Sequence, residues 1–207
     1  MTLLDQRPRA QTPLVLDQAG QDLLFRQART ASSFTDEPVS DEHVRAIYDL
    51  VKWAPTGTNS QPLRVTLART PQAKNRLLPH LAPGNRAKSA GAPLVAVLSV
   101  DRNFHETLPQ VFPHNPRIKD AFADPARREQ VATFNGTLQV AYFIVGVRAA
   151  GLAAGPMTGF DAAGLEAELF PAGERKVLAV VNVGRPGPGA FRPRNPRLDY
   201  EQVVDEL

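Results

Sequence analysis

Cysteine is missing from all 207 residues. The chain can therefore form no disulfide, no thiolate metal site and no cysteine nucleophile. Histidine is scarce. His43, His80, His105 and His114 are the four, and none falls in an HExxH or other tight ligand spacing, so no protein-held metal is expected. Charge of one sign is also lacking: 24 Lys and Arg face 21 Asp and Glu, a net of +3. No basic recognition helix or zinc-finger spacing is visible, which argues against nucleic-acid binding. The longest apolar stretches, near Pro93 to Val100 and Val177 to Val183, fall far short of a bilayer span. The first residues carry Asp5, Arg7, Pro8 and Arg9 instead of the apolar core of a signal peptide. A soluble, cytoplasmic protein without membrane attachment is the expectation. Nucleotide-binding GxGxxG and GxxxxGK[ST] patterns are absent, as is the GxSxG elbow of serine hydrolases.

What is present suffices for one sizeable core. The chain is 43% hydrophobic and 22% charged, and its length suits a single domain better than two. Residues 1–15 read as a flexible N-terminal arm and 16–207 as the domain with a Pro-rich C-terminal tail. Leu16 to Arg29 places Leu16, Leu23, Leu24 and Ala28 at roughly helical spacing. Ser40 followed by Asp41 and Glu42 is a helix start, with Val44, Ile47, Tyr48 and Val51 on one face. Pro71 and the Asp124-Pro125 pair open two more helices. The second runs long, to Gly151, and its latter half is apolar almost all round. Such a helix crosses a core or a subunit interface. Asp161 caps a further helix reaching Phe170. Strands are expected at Val65 to Ala68, Pro93 to Val100 and Lys176 to Val183. Residues 101 to 118 hold Pro109, Pro113 and Pro116 and read as a loop or lid. Helices and few strands make an α+β layer with a small sheet the best architecture.

Four segments could carry chemistry. Ala54 to Pro62 holds the hydroxyls of Thr56, Thr58 and Ser60 and the amides of Asn59 and Gln61. It is either a self-satisfying polar connection or a hydrogen-bonding wall for a planar heterocycle. Ala153 to Asp161 is rich in small residues. It is either a helix-to-helix turn or a place of close backbone approach, with Met157 or Phe160 packing on a flat ring. Arg29-Thr30-Ala31-Ser32 offers a guanidinium and hydroxyls. Far away, Arg185, Arg192, Arg194 and Arg197 form the densest basic cluster, either a solvated tail or a clamp on a phosphate-bearing small molecule. Finally, Asn85 and Lys88 lie three apart and share a helical face.

Taken in order, these pieces resemble the nitroreductase family of flavin enzymes. The resemblance rests on Ala28-Arg29-Thr30, on Lys52-Trp53-Ala54-Pro55-Thr56 through Asn59-Ser60-Gln61-Pro62, and on Pro83-Gly84-Asn85 with Lys88. It continues through Asn135-Gly136-Thr137-Leu138-Gln139-Val140-Ala141-Tyr142 and Gly151-Leu152 to Gly155-Pro156-Met157-Thr158-Gly159-Phe160-Asp161. Pro196-Arg197-Leu198-Asp199-Tyr200 looks like the end of its malonic semialdehyde reductase (Rut-type) branch. The resemblance implies a nitroreductase-like three-layer sandwich, a small mixed sheet wrapped by helices, in an intertwined homodimer whose tails embrace the partner. It further implies FMN and NAD(P)H as cofactors, and ping-pong hydride transfer through the flavin N5 with no catalytic side chain.

By motif position, Arg29, Thr30 and Ala31 would meet the FMN phosphate, completed by Arg197 or Arg194. Asn59 would approach the flavin from the partner's side. Asn85 and Lys88 would reach the ribityl chain and ring edge. Pro156, Met157, Thr158 and Gly159 would lie along the ring, the last two near N5. The implied acceptor is a small aldehyde such as malonic semialdehyde, reduced to 3-hydroxypropanoate, with Arg117 or Lys119 as the cation meeting an anionic acceptor. A broad nitroaromatic or quinone reductase, or a non-enzymatic flavin-binding dimer, is the alternative.

Overall fold

The computed structural model describes residues 14–207. Most of the expected N-terminal arm therefore lies outside the described residues. Helix α1 (Gln18–Gln21) opens with the Asp17 carboxylate accepting the Gly20 N–H at 2.7 Å. It widens into a π-type turn over Asp22–Arg26, closed by the Gln27 N–H donating to the Asp22 carbonyl at 2.9 Å. The helical stretch ends before Arg29. That is earlier than the periodicity suggested, and it leaves Arg29 and Thr30 on free chain.

Helix α2 (Asp41–Val51) starts at the Ser40 cap, whose hydroxyl accepts the His43 N–H. Strand β1 (Leu63–Ala68) follows, then α3 (Pro71–Leu77) and α4 (Pro83–Ala90). Strand β2 (Leu94–Asp101) leads into three short helical turns, Phe104–Thr107, α5 (Leu108–Val111) and Pro116–Phe122. The Asp124 carboxylate accepts the N–H groups of Ala126 and Arg127 and starts the long α6 (Pro125–Ala149). Strand β3 (Ala153–Met157), α7 (Ala162–Leu169) and β4 (Arg175–Gly184) complete the body.

The four strands form one sheet in the order β1-β2-β4-β3. Each neighbouring pair is antiparallel, so a mixed sheet would need a strand from outside these four. The continuous apolar run of β2 has a direct cause: both its faces are covered. Leu94, Ala96 and Leu98 pack toward Ile47 of α2 and Phe143 and Val147 of α6. Val95 and Val97 point the other way, toward Leu77 of α3 and Leu165 of α7. Helices on both sides of the sheet give the three layers.

Two expectations need correction. Residues 153–157 form an edge strand, not a helix-to-helix turn. Ala, Gly and Pro carry little intrinsic strand preference; here pairing with β4 imposes the conformation. The stretch after Asp101 is also no open lid. Phe104, Leu108 and Phe122 are buried together with Val100 and Ala132, and the rings of Phe104 and Phe122 meet edge to face at 5.2 Å.

A charge network closes the same end of the sheet. The Arg102 guanidinium reaches Glu129 of α6 and Glu166 of α7, each at 3.2 Å, and Lys176 of β4 reaches Glu129 at 2.8 Å. The hydrogen bond from Lys176, reinforced by Arg102, holds the Glu129 carboxyl below its ordinary pKa.

Candidate functional site

The first helical stretch ends early, β3 lies at the sheet edge, and the C-terminal tail returns beside both. Between them is a cavity of about 410 Å³ lined by six cationic side chains: Arg29, Lys88, Arg148, Arg192, Arg194 and Arg197. Thr30 and Ser32 add hydroxyls, and no Asp or Glu lines it among the described residues. Six cations gathered without an acid repel one another unless an anion joins them. Guanidinium groups suit phosphate in particular, through paired N–H donors.

The six are not equivalent. Arg194 donates to the carbonyls of Arg26 (2.5 Å) and Ala28 (2.8 Å), tying the tail to the end of the first helical stretch. Arg29 donates to the Arg192 carbonyl at 3.3 Å, and its guanidinium lies 5.2 Å from the centre of the Phe191 ring. Arg148, on the last turn of α6, donates to the Leu24 carbonyl at 3.2 Å. Burial first, and then nearby Arg194, lower its pKa from the usual arginine value; it stays charged at neutral pH. Among the described residues, Arg197 bonds the carbonyls of its neighbours Asn195 and Pro196 alone. Arg185, part of the same sequence cluster, turns away to pair with Glu37 at 2.7 Å.

Of the residues expected at a cofactor site, Arg29, Thr30, Lys88, Arg194 and Arg197 converge here. Ala31 does not line the cavity. It is buried behind it, its N–H donating to the Ala154 carbonyl of β3 at 3.0 Å. Gly155 permits that approach, since a Cβ there would sit 2.6 Å from the Ala31 carbonyl oxygen. Gly155→Ala should therefore cost about 1–3 kcal/mol of stability. It should also displace the adjoining Arg29-Thr30 segment. Thermal melts with and without FMN check this: an unchanged melting point and an unchanged FMN-induced shift would show that the contact yields without consequence.

Asn85 stands one helical turn before Lys88 on α4, and its amide donates to the Gly159 carbonyl at 2.9 Å. The exposed Thr158 and Gly159, just past the end of β3, are thus tied to the helix that also sends Lys88 into the cationic cavity. Pro156 is half-buried in β3. Met157 does not face a flat ligand as expected. It is buried in the core, with the Ser89 hydroxyl 3.9 Å from its sulfur, because strand alternation turns it inward.

Asn59 also lies away from the cavity. It occupies a loop in which Thr58, Asn59 and Gln61 take φ of 53°, 50° and 42°. Each non-glycine residue so placed costs of order 1–3 kcal/mol, and such strain concentrates at functional sites. The Asn59 amide donates to the Val111 carbonyl at 2.8 Å. Arg117 and Lys119 do not line the cationic cavity; Lys119 faces Glu106 at 4.0 Å.

Arg148 was missing from the expected set. Its signal is modest: it is the sole charge in the second half of a long apolar helix. Arg192 and Ser32 belong to the candidate segments, but the family resemblance gave them no role at the FMN. Among the described residues no His, Asp and Glu cluster is placed to hold a metal ion, and no helix is long and apolar enough to cross a membrane.

Comparison with known proteins agrees with this geometry. A family model described as the nitroreductase family matches residues 25–185. A Streptomyces coelicolor protein, described provisionally as an NADH dehydrogenase/NAD(P)H nitroreductase, is 63% identical over 192 residues, covering 92% of this chain and 97% of its own. A Leptothrix cholodnii protein of the same description is 44% identical over 193 residues, covering 93% and 98%. Among solved structures, a provisionally named nitroreductase from Exiguobacterium sibiricum, in complex with FMN, superposes with a TM-score of 0.80. It is 15% identical, covering 95% of this chain and 100% of that one.

Proposed function

This chain belongs to the nitroreductase family, and from that premise we propose that it is a broad-acceptor reductase passing electrons from NAD(P)H to nitroaromatic or quinone compounds. It is an FMN-dependent NAD(P)H oxidoreductase. The observation that carries the reading is the cavity of six cations with no lining acid among the described residues; Lys88 of that lining shares α4 with Asn85, which bonds Gly159. A ligand with a dianionic end and a planar head suits that arrangement.

FMN, when bound, supplies the ring that exchanges hydride with the nicotinamide and reducing equivalents with the acceptor. The protein's part is placement. Arg29, Arg197 and Lys88 would hold the phosphate through charged N–H donors, helped by the Thr30 and Ser32 hydroxyls. Arg148 adds positive charge from beneath, and Arg194 keeps the tail in reach. Asn85 fixes the backbone at Gly159, and the amides of Thr158 and Gly159 would meet the ring edge.

The names of the relatives favour the broad acceptor over malonic semialdehyde.

A homodimer is part of the proposal. Phe134, Leu138 and Tyr142 recur every fourth residue along α6 and are exposed, as are Tyr48 and Trp53 at α2. Exposed apolar groups of this size mark interfaces, and a second copy would bring its Asn59 loop toward the first copy's flavin.

The test is an absorbance spectrum of purified protein, followed by anaerobic addition of NADH and NADPH. Flavin bands bleached by either nucleotide are expected. Steady-state kinetics should then give higher kcat/KM for nitrofurazone and menadione than for malonic semialdehyde. The reverse order would overturn the broad-acceptor reading, and failure to retain added FMN would overturn the flavin reading.

A further inference from the structure

We propose that Asn135 and Gln139 are positioning residues for the reaction: these two buried amides of α6 hold both ends of the strained Thr56–Pro62 loop and so fix where Asn59 is presented. The inference rests on the flavin reading above. It assigns a task to the Asn135-Gly136-Thr137-Leu138-Gln139 stretch, which the phosphate cavity does not use.

Asn135 and Gln139 are one helical turn apart and point from the same face of α6. Both are buried, 4% and 8% exposed. Each spends its side-chain oxygen on a backbone N–H of the loop or its border. The Gly57 N–H donates to Asn135 Oδ1 at 2.6 Å, and the Leu63 N–H donates to Gln139 Oε1 at 3.0 Å. Asn135 returns its own N–H to the helix, donating to the Val131 carbonyl at 2.9 Å, so the amide is fixed before it meets the loop. Gly136 between them brings α6 against the sheet, for a Cβ there would fall 2.1 Å from Val100 Cγ1.

Between the two anchors lie the three residues of positive φ. Inside the loop the Thr56 hydroxyl accepts the Gln61 N–H at 3.2 Å, and Asn59 reaches outward to Val111. A left-handed run of non-glycine residues persists only where its surroundings over-determine it. Here the surroundings are the two amides. Amides suit the task because a carboxylate would bury a charge, whereas an apolar side chain would accept no hydrogen bond from the loop.

The experiment uses full-length, FMN-loaded protein. Gln139→Met keeps the length of the side chain and removes the acceptor. Asn135→Ala, made in parallel, reads the other end of the loop, so the proposal does not hang on one variant folding. Amide hydrogen exchange across residues 56–63, KM and kcat for NADPH and nitrofurazone, and the flavin's visible circular dichroism are measured for each. Exchange at Leu63 in Gln139→Met, and at Gly57 in Asn135→Ala, should rise up to about tenfold, as expected for one lost hydrogen bond. KM for nitrofurazone should rise with kcat unchanged and the flavin dichroism altered in both variants.

Faster exchange with wild-type KM and dichroism would overturn the proposal, leaving the amides a purely structural role. Unchanged exchange in both variants would overturn it too, while leaving the flavin reading intact. A wild-type protein that neither retains FMN nor oxidises NADPH would instead remove the flavin reading, and this proposal with it.

Discussion

Replacing Arg29 and Arg197 together with alanine should weaken FMN binding by about a hundredfold. A charge-assisted hydrogen bond is worth about 1.5–3 kcal/mol. Both guanidinium groups are exposed, so the lower figure applies to each, and every 1.4 kcal/mol is a factor of ten. The loss should shrink as salt rises, because screening already weakens wild-type binding there. Flavin fluorescence titrations at low and high sodium chloride measure both effects. Arg194→Ala is the informative control. Its guanidinium is spent on the carbonyls of Arg26 and Ala28, so it should loosen the tail more than it removes a phosphate contact. Wild-type affinity in the Arg29, Arg197 double variant would show that the phosphate does not lie among these arginines.

Phe104→Ala should cost about 3–5 kcal/mol of stability, the usual range for deleting a fully buried aromatic ring. For a chain of this size that lowers the melting point by about 2–4 °C per kcal/mol. The ring is completely buried and packs on Phe122, Leu108 and Val100. The substitution therefore asks whether residues 104–122 unfold with the body or independently of it. A urea melt showing a loss under about 1 kcal/mol would return this segment to the status of a mobile lid. The answer matters for the site, because the Val111 carbonyl that receives the Asn59 amide belongs to the same segment.

The sequence by itself determined those features whose causes lie within a few residues. Ser40, Asp124 and Asp161 each cap the helix that follows, since the capping oxygen and the N–H groups it accepts are no more than three residues apart. The apolar runs of β2 and β4 announced strands buried on both faces. Order and spacing of the motifs identified the family, and with it the parts of the chain that matter.

The tertiary structure decided what depends on distant partners. Ala153–Met157 is a strand because β4 pairs with it and Ala31 closes on Gly155; nothing in the run Ala-Ala-Gly-Pro-Met says so. The early end of the first helical stretch, the packing of Phe104, and the inward turn of Met157 are likewise set by neighbours far along the chain. The cationic cavity is the clearest case. Arg29 and the Arg192 carbonyl it meets are 163 residues apart, and Arg148 joins them from the far end of α6. Local propensity acts over one turn of helix, whereas this cavity gathers charges from four separate segments. Only the packed fold meets the electrostatic cost of bringing them together.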